Sequence, residues 1–224
     1  WAFANVGLAD VPALEAVAAT VLRTVEDFCA QDLANVAWAF AKLSRHDVEL
    51  AGALAREVVK KVKTFIPQNL SITAYSFGQL SILEAEMIDA IMDQALERMA
   101  EFDAQGLSNL AQALAKLGLR MDRPLQAMAR EAARKIAQFT NQELAMTAWS
   151  FAKLGAFEGE ALSAVVEETR ARLVDLTPQD LSVLIWAYAR SGTKSRDVMK
   201  VLTREVIRQA HQLSPQDLST VAWG

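Results

Sequence analysis

Cysteine is almost absent from this chain: Cys29 stands alone in 224 residues, which excludes a disulfide framework and a thiolate metal site. That scarcity fits a reducing compartment. Histidine is nearly as scarce. His46 and His211 are isolated, no Gly-rich phosphate loop occurs, and Cys29 has no His near it in sequence. The sequence therefore predicts no catalytic residues, no bound metal, no cofactor and no small-molecule substrate, and reads as a binder rather than an enzyme. No run approaches the roughly 18 consecutive apolar residues of a membrane span, and no basic-then-apolar leader opens the chain, so a soluble protein without membrane partners is expected. With only nine Gly and five Pro, 52% apolar and 22% charged residues, the chain has the composition of a fully folded protein. A net charge of -4 lacks the basic balance common in nucleic-acid-binding domains, so what matters is where the charges sit.

What the chain does have is a period. Trp1, Trp38, Tyr75, Gln112, Trp149, Trp186 and Trp223 recur at steps of 37 residues inside one signature, and Gln112 is the one member without an aromatic ring. The best-preserved copies are Ala37-Trp38-Ala39-Phe40-Ala41-Lys42-Leu43 and Ala148-Trp149-Ser150-Phe151-Ala152-Lys153-Leu154. A strict period in this range marks a solenoid, whose units contact mainly their neighbours and whose function lies along a surface. The expected fold is an all-α, right-handed α-solenoid of helix-turn-helix repeats. A single array over 1–224 is expected, with full repeats at 28–64, 65–101, 102–138, 139–175 and 176–212 and partial copies at 1–27 and 213–224. Both ends fall inside the signature, which reads as a piece of a longer array.

Each repeat opens on a helix-start signal, clearest in Thr177-Pro178-Gln179-Asp180 and Ser214-Pro215-Gln216-Asp217, where the hydroxyl caps, Pro suits the first turn and Asp completes a capping box. Thr140 with Glu143 repeats it without Pro. The first helix should run about 14 residues and stop near Gly118, Gly155 and Gly192, or near Ser44 and Ser81. The second should cover roughly Asp47 to Lys63 and its equivalents, with Val48, Ala51, Leu54, Val58 and Val62 on its apolar face. Its pairs Glu57 with Lys61, Glu131 with Lys135 and Glu168 with Arg172 read as a solvated outer face.

On the first helix, Leu33, Val36, Ala37 and Phe40, like Leu181, Leu184, Ile185 and Tyr188, form a core arc, flanked by small residues such as Ala34, Ala41, Ser71, Ala74 and Gly78. The opposite arc carries the candidate nucleic-acid-binding residues. They are Gln31, Asn35, Trp38 and Lys42, then Gln68, Ile72, Tyr75 and Gln79, then Gln105, Asn109, Gln112 and Lys116, then Gln142, Met146, Trp149 and Lys153, then Gln179, Val183, Trp186 and Arg190. Of these, Gln112 alone is not counted as a contact. Stacked repeats would set them in rows on the inner face, with rings for bases, cations for phosphates and amides for base edges of a single-stranded nucleic acid. The position after the Gln varies most (Asn35, Ile72, Asn109, Met146, Val183, Thr220), as a base-reading site would. Each row also has a purely structural reading: amides bonding a neighbouring helix start, rings inserted between first helices, cations facing the helix dipole, and an unconstrained surface site.

The period, the paired helices and the copies Pro178-Gln179-Asp180-Leu181-Ser182 with Trp186-Ala187-Tyr188-Ala189-Arg190, and Asn141-Gln142-Glu143-Leu144 with Trp149 through Gly155, resemble the heptatricopeptide and octotricopeptide repeat proteins, whose arrays often precede a RAP domain. The resemblance covers the whole chain. It implies sequence-selective binding of single-stranded RNA in a chloroplast or mitochondrion, acting on transcript stability, processing, translation or ribosomal RNA. A protein-protein interaction scaffold is the alternative, since helical solenoids also bind peptides and helices.

Overall fold

The computed structural model describes residues 11–192 and 196–223. Trp1, the side chain of Trp223 and Gly224 lie outside the described residues. The fold is all-α and solenoid-like, with neighbouring helices packed in series. It divides into two compact units, Trp1–Phe102 and Asp103–Gly224. The first unit holds α1 (Val11–Thr24), α2 (Ala30–Lys42), α3 (Val48–Lys61), α4 (Pro67–Leu80) and α5 (Ala85–Glu97). The second holds α6 (Ala104–Leu117), α7 (Asp122–Lys135), α8 (Asn141–Lys153), α9 (Gly159–Ala171), α10 (Pro178–Arg190), α11 (Arg196–Gln209) and α12 (Pro215–Trp223).

Within each unit the helices form two layers. First helices pack on first helices, α2 on α4 in one unit and α6, α8, α10 and α12 in series in the other. Second helices do the same, α1, α3 and α5 in one unit and α7, α9 and α11 in the other. Between the layers lies the core. Leu33, Leu70, Leu144, Leu181 and Leu184 are wholly buried, with Phe40, Phe77, Phe151 and Tyr188 beside them. Val36 is only half-buried. Close approach of first helices is possible because their contacting flank is small: Ala34, Ser71, Ala74 and Gly78 are all buried.

Local chemistry sets the boundaries. Thr177 Oγ1 accepts from Asp180 N at 3.2 Å while Asp180 Oδ2 accepts from Thr177 N at 3.1 Å, and Thr140 with Glu143 and Ser214 with Asp217 repeat the reciprocal pair. At the other end, Gly118 closes α6 with φ +70 and Leu119 N returns to Leu114 O at 2.9 Å. Ser81 occupies the equivalent left-handed place with φ +54. The second helix is shorter than its apolar pattern implies. α3 ends at Lys61, and Val62–Thr64 tighten into a 3-10 turn from which Phe65 emerges extended. Every second helix among the described residues closes on such a turn. Val48, at the first position of α3, is exposed rather than on the apolar face.

The acid-base pairs of the second helices are not a solvated face. Glu57 is 4% exposed, Lys135 and Glu131 side chains 13% and 11%, and Arg172 and Glu168 19% each. The cations reach back to the junction at which their own repeat begins. Lys61 Nζ donates to Phe28 O at 2.9 Å, Arg98 Nη1 to Phe65 O at 2.7 Å, and Arg172 to Phe139 O and, at 3.1 Å, Ala137 O. Gln209 Nε2 does the same for Leu176 O at 3.2 Å. The carbonyls concerned are those that the 3-10 turn and the extended residue leave without an intrahelical donor. The pairs clamp each second helix to the junction between the preceding 3-10 turn and the first helix of its repeat, and the segment they hold is what removes them from solvent.

Candidate nucleic-acid interface

Each first helix exposes a strip opposite the core arc, and the four rows of the sequence pattern lie along it. Gln31, Gln68, Gln105, Gln142 and Gln179 are all exposed, and among the described residues none of these amide side chains has a hydrogen-bond partner within the protein. Contacts to a neighbouring helix start are made by other side chains: Asn141 Nδ2 donates to Asp175 O at 2.9 Å, and Ser182 Oγ donates to Asp217 Oδ1 at 3.3 Å. The amide row is thus left facing outward.

Trp38, Tyr75, Trp149 and Trp186 are half-buried. Each ring lies partly against its neighbours and keeps part of its surface open. Trp149 and Trp186 touch, with ring centroids 6.3 Å apart and planes at 37°. Lys153 Nζ sits 4.8 Å from the Trp149 ring centroid. Gln112 has left the strip. It is only 9% exposed, its Nε2 donates to Ser108 Oγ at 3.0 Å, and Ser108 in turn reaches Glu143 O at 3.5 Å.

In the variable row Asn35 is exposed, while Ile72, Asn109, Met146, Val183 and Thr220 are half-buried. In the cation row Lys42, Lys153 and Arg190 are exposed at the ends of their helices and have no carboxylate partner among the described residues. Lys116 is half-buried, and burial, with Lys153 nearby, holds its ammonium below the usual lysine range. Gln79 stands where the other repeats have a cation and donates to the Tyr75 hydroxyl.

The strip carries no carboxylate of its own. The acidic residues of the described first helices are Asp32, Glu143, Asp180 and Asp217, and each carboxylate accepts from the backbone at its own helix start, at Cys29, Thr140, Thr177 and Ser214 respectively. Ion pairing is concentrated on the second helices. The acidic balance of the whole chain therefore does not describe this face.

Two grooves open on the strip. In the first unit one of about 270 Å³ is lined by Trp38, Ala41, Lys42, Ser44, Tyr75 and Gln79. In the second unit a groove of about 480 Å³ crosses α8, α10 and α12 and gathers three rows at once. Met146, Val183 and Thr220 come from the variable row, Trp149 and Trp186 from the ring row, and Gln179 and Gln216 from the amide row, with Ser219 beside them. Ser219 and Ser44 were not legible as lining residues. Gln216 and Thr220 carry the repeat spacing that places them here, 37 residues after Gln179 and Val183.

Among the described residues no helix is long and apolar enough to cross a membrane, and no three His, Cys, Asp or Glu side chains converge as a metal site would need. No curated protein matches the sequence. The family model of the RNA-editing substrate-binding complex 6 protein, RESC6, matches residues 2–224. This match overturns the heptatricopeptide, octotricopeptide and RAP-associated assignment. The features behind that assignment are the ones stacked helical pairs demand whatever their ancestry: a capped start, small residues where first helices touch, and a helix stop one turn after a large core residue. Because the match spans nearly the whole sequence, the chain belongs to the RNA-editing substrate-binding complex 6 protein family, which gives it an RNA-related function.

Proposed function

We propose that the exposed strip of the first helices binds single-stranded RNA with sequence selectivity, without catalysis of its own, as one component of an RNA-editing substrate-binding complex in an organelle, the mitochondrion. The observation that carries this reading is that partly open rings lie with Lys42, Lys153 and Arg190, which have no carboxylate partner among the described residues, on a surface free of its own carboxylates. Rings offer stacking to bases of any sequence, cations meet the phosphates, and the outward amides supply donors and acceptors to base edges. A duplex hides its base faces and edges, so a single strand is the better ligand. The family description supports the assembly into a complex. That description also favours a second use of the strip, as a docking face for another subunit.

Replacing Lys42, Lys116, Lys153 and Arg190 together by Glu separates the two. Binding of a fluorescent single-stranded RNA should be lost while helix content, read by circular dichroism, stays unchanged. Neutral Gln at the same four positions should weaken binding less than Glu does. Unchanged RNA affinity in the Glu variant would remove the RNA reading and leave the protein-docking one.

A further inference from the structure

We infer that the groove across α8, α10 and α12 is a base-selective subsite that takes adenine in preference to the other bases. This rests on the single-stranded RNA reading above and adds to it which base the second unit selects.

The argument starts from the ring pair. With centroids 6.3 Å apart and planes tilted by 37°, Trp149 and Trp186 are already in contact, so no base can be sandwiched between them. Lys153 lies over Trp149 as well. A base must instead lie in the groove against the ring surface that remains, with Met146 and Val183 completing an apolar wall. The volume of about 480 Å³ is ample for a purine. A wall of indole, thioether and branched aliphatic surface favours the base with the larger apolar face, which is a purine.

The polar rim then chooses between the purines. It consists of Gln179 and Gln216 with the hydroxyls of Ser219 and Thr220, and it holds no Asp, Glu, Lys or Arg. Guanine is read by a cation at its O6 and N7, and cytosine by a carboxylate that accepts from N4. Neither group is among the side chains that line the groove. A side-chain amide offers one donor and one acceptor side by side, which matches adenine N6 and N7. Gln179 has no hydrogen-bond partner within the protein among the described residues, so its amide is not committed to holding the fold. The first unit offers no such combination, since its groove brings rings, Lys42 and Gln79, but no member of the amide row.

The test uses the full chain and three 12-nucleotide RNAs: all cytidine, the same strand with one central adenosine, and the same strand with one central uridine. Sliding of the strand lets the single base find the subsite, so register need not be known. Fluorescence anisotropy should show the adenosine strand bound about tenfold more tightly than the cytidine strand, the scale of one good bidentate contact. The uridine strand should bind close to the cytidine strand, because each pyrimidine offers an adjacent donor and acceptor to an amide and covers the same smaller part of the wall. Replacing Gln179 and Gln216 together by Met keeps side-chain length and should reduce the preference among the three strands to about twofold or less. Equal affinities in the unmodified chain, uridine binding above adenosine, or a preference above about twofold that survives the double substitution would each overturn the inference. RNA binding itself would still stand in those cases, because the cytidine strand reports it separately. If the unmodified chain binds none of the three strands, the RNA reading and this inference fall together.

Discussion

Thr73 and Thr147 are 0% and 1% exposed, and neither hydroxyl has a hydrogen-bond partner among the described residues. They stand two repeats apart, at a place filled by Val36, Leu110 and Leu184 in the others. A buried hydroxyl that makes no bond retains its desolvation penalty, so this is a core position holding a polar atom it does not use. Replacing Thr147 by Val keeps the shape and removes the oxygen. Thermal or chemical unfolding should show a gain of about 1 kcal/mol, and a loss of stability would mean that the hydroxyl has a partner in solution. At the same scale, the rows of the strip were legible because helical geometry fixes which side of a first helix each residue occupies. Gln112 shows the limit. Its place in the period is that of a ring, but an amide can turn inward to Ser108, and periodicity does not report which way a side chain points.

At the scale of the helix, the clamps carry a load that i,i+4 pairs on an exposed surface do not. Arg172 joins Glu168 to the carbonyls of Phe139 and Ala137, so replacing it by Met strands a half-buried carboxylate and two carbonyls together. A loss of about 2 kcal/mol is expected, in the range for hydrogen bonds to charged groups. The exposed pair Arg170 with Glu167, 3.6 Å apart, is the control, and Arg170→Met should change stability by less than about 0.5 kcal/mol. Equal effects at the two sites in urea titrations would refute the clamp. The same row sets an acid dependence. Arg134 first and Lys135 second hold the Glu131 carboxyl down to about 2 from an ordinary 4.5. A lowered folded-state value means stabilisation fully present above about 4.5 and lost as pH falls toward about 2. The midpoint of thermal unfolding should therefore drop across that window, and the drop should be shallower in Glu131→Gln. Helix boundaries were legible because caps and stops are local chemistry. The clamps were not, since a Glu-Lys pair four residues apart looks the same whether water or the junction at the start of its repeat covers it. One signal was present in the spacing: Lys61, Arg98, Lys135 and Arg172 are also 37 residues apart, a regularity that a solvated face does not require.

For the whole molecule, the decisive quantity is the division of charge between the two helix layers rather than the net value of -4. On the first helices the carboxylates are held at the helix starts, and the cations Lys42, Lys116, Lys153 and Arg190 stand at the opposite ends. Binding through those cations releases counterions from RNA, and each phosphate neutralised on a single strand adds about 0.7 to the slope of log affinity against log salt. Four contacts predict a slope of about -3. Single replacements Lys42→Gln, Lys153→Gln and Arg190→Gln should each flatten it by about 0.7, whereas Lys200→Gln on α11, a cation of equal charge in the other layer, should leave it unchanged. The comparison separates a local field from a global one, because all four substitutions change the net charge equally. If Lys200→Gln flattens the slope as much as the others, the phosphates follow the second-helix layer and the strip is not their path.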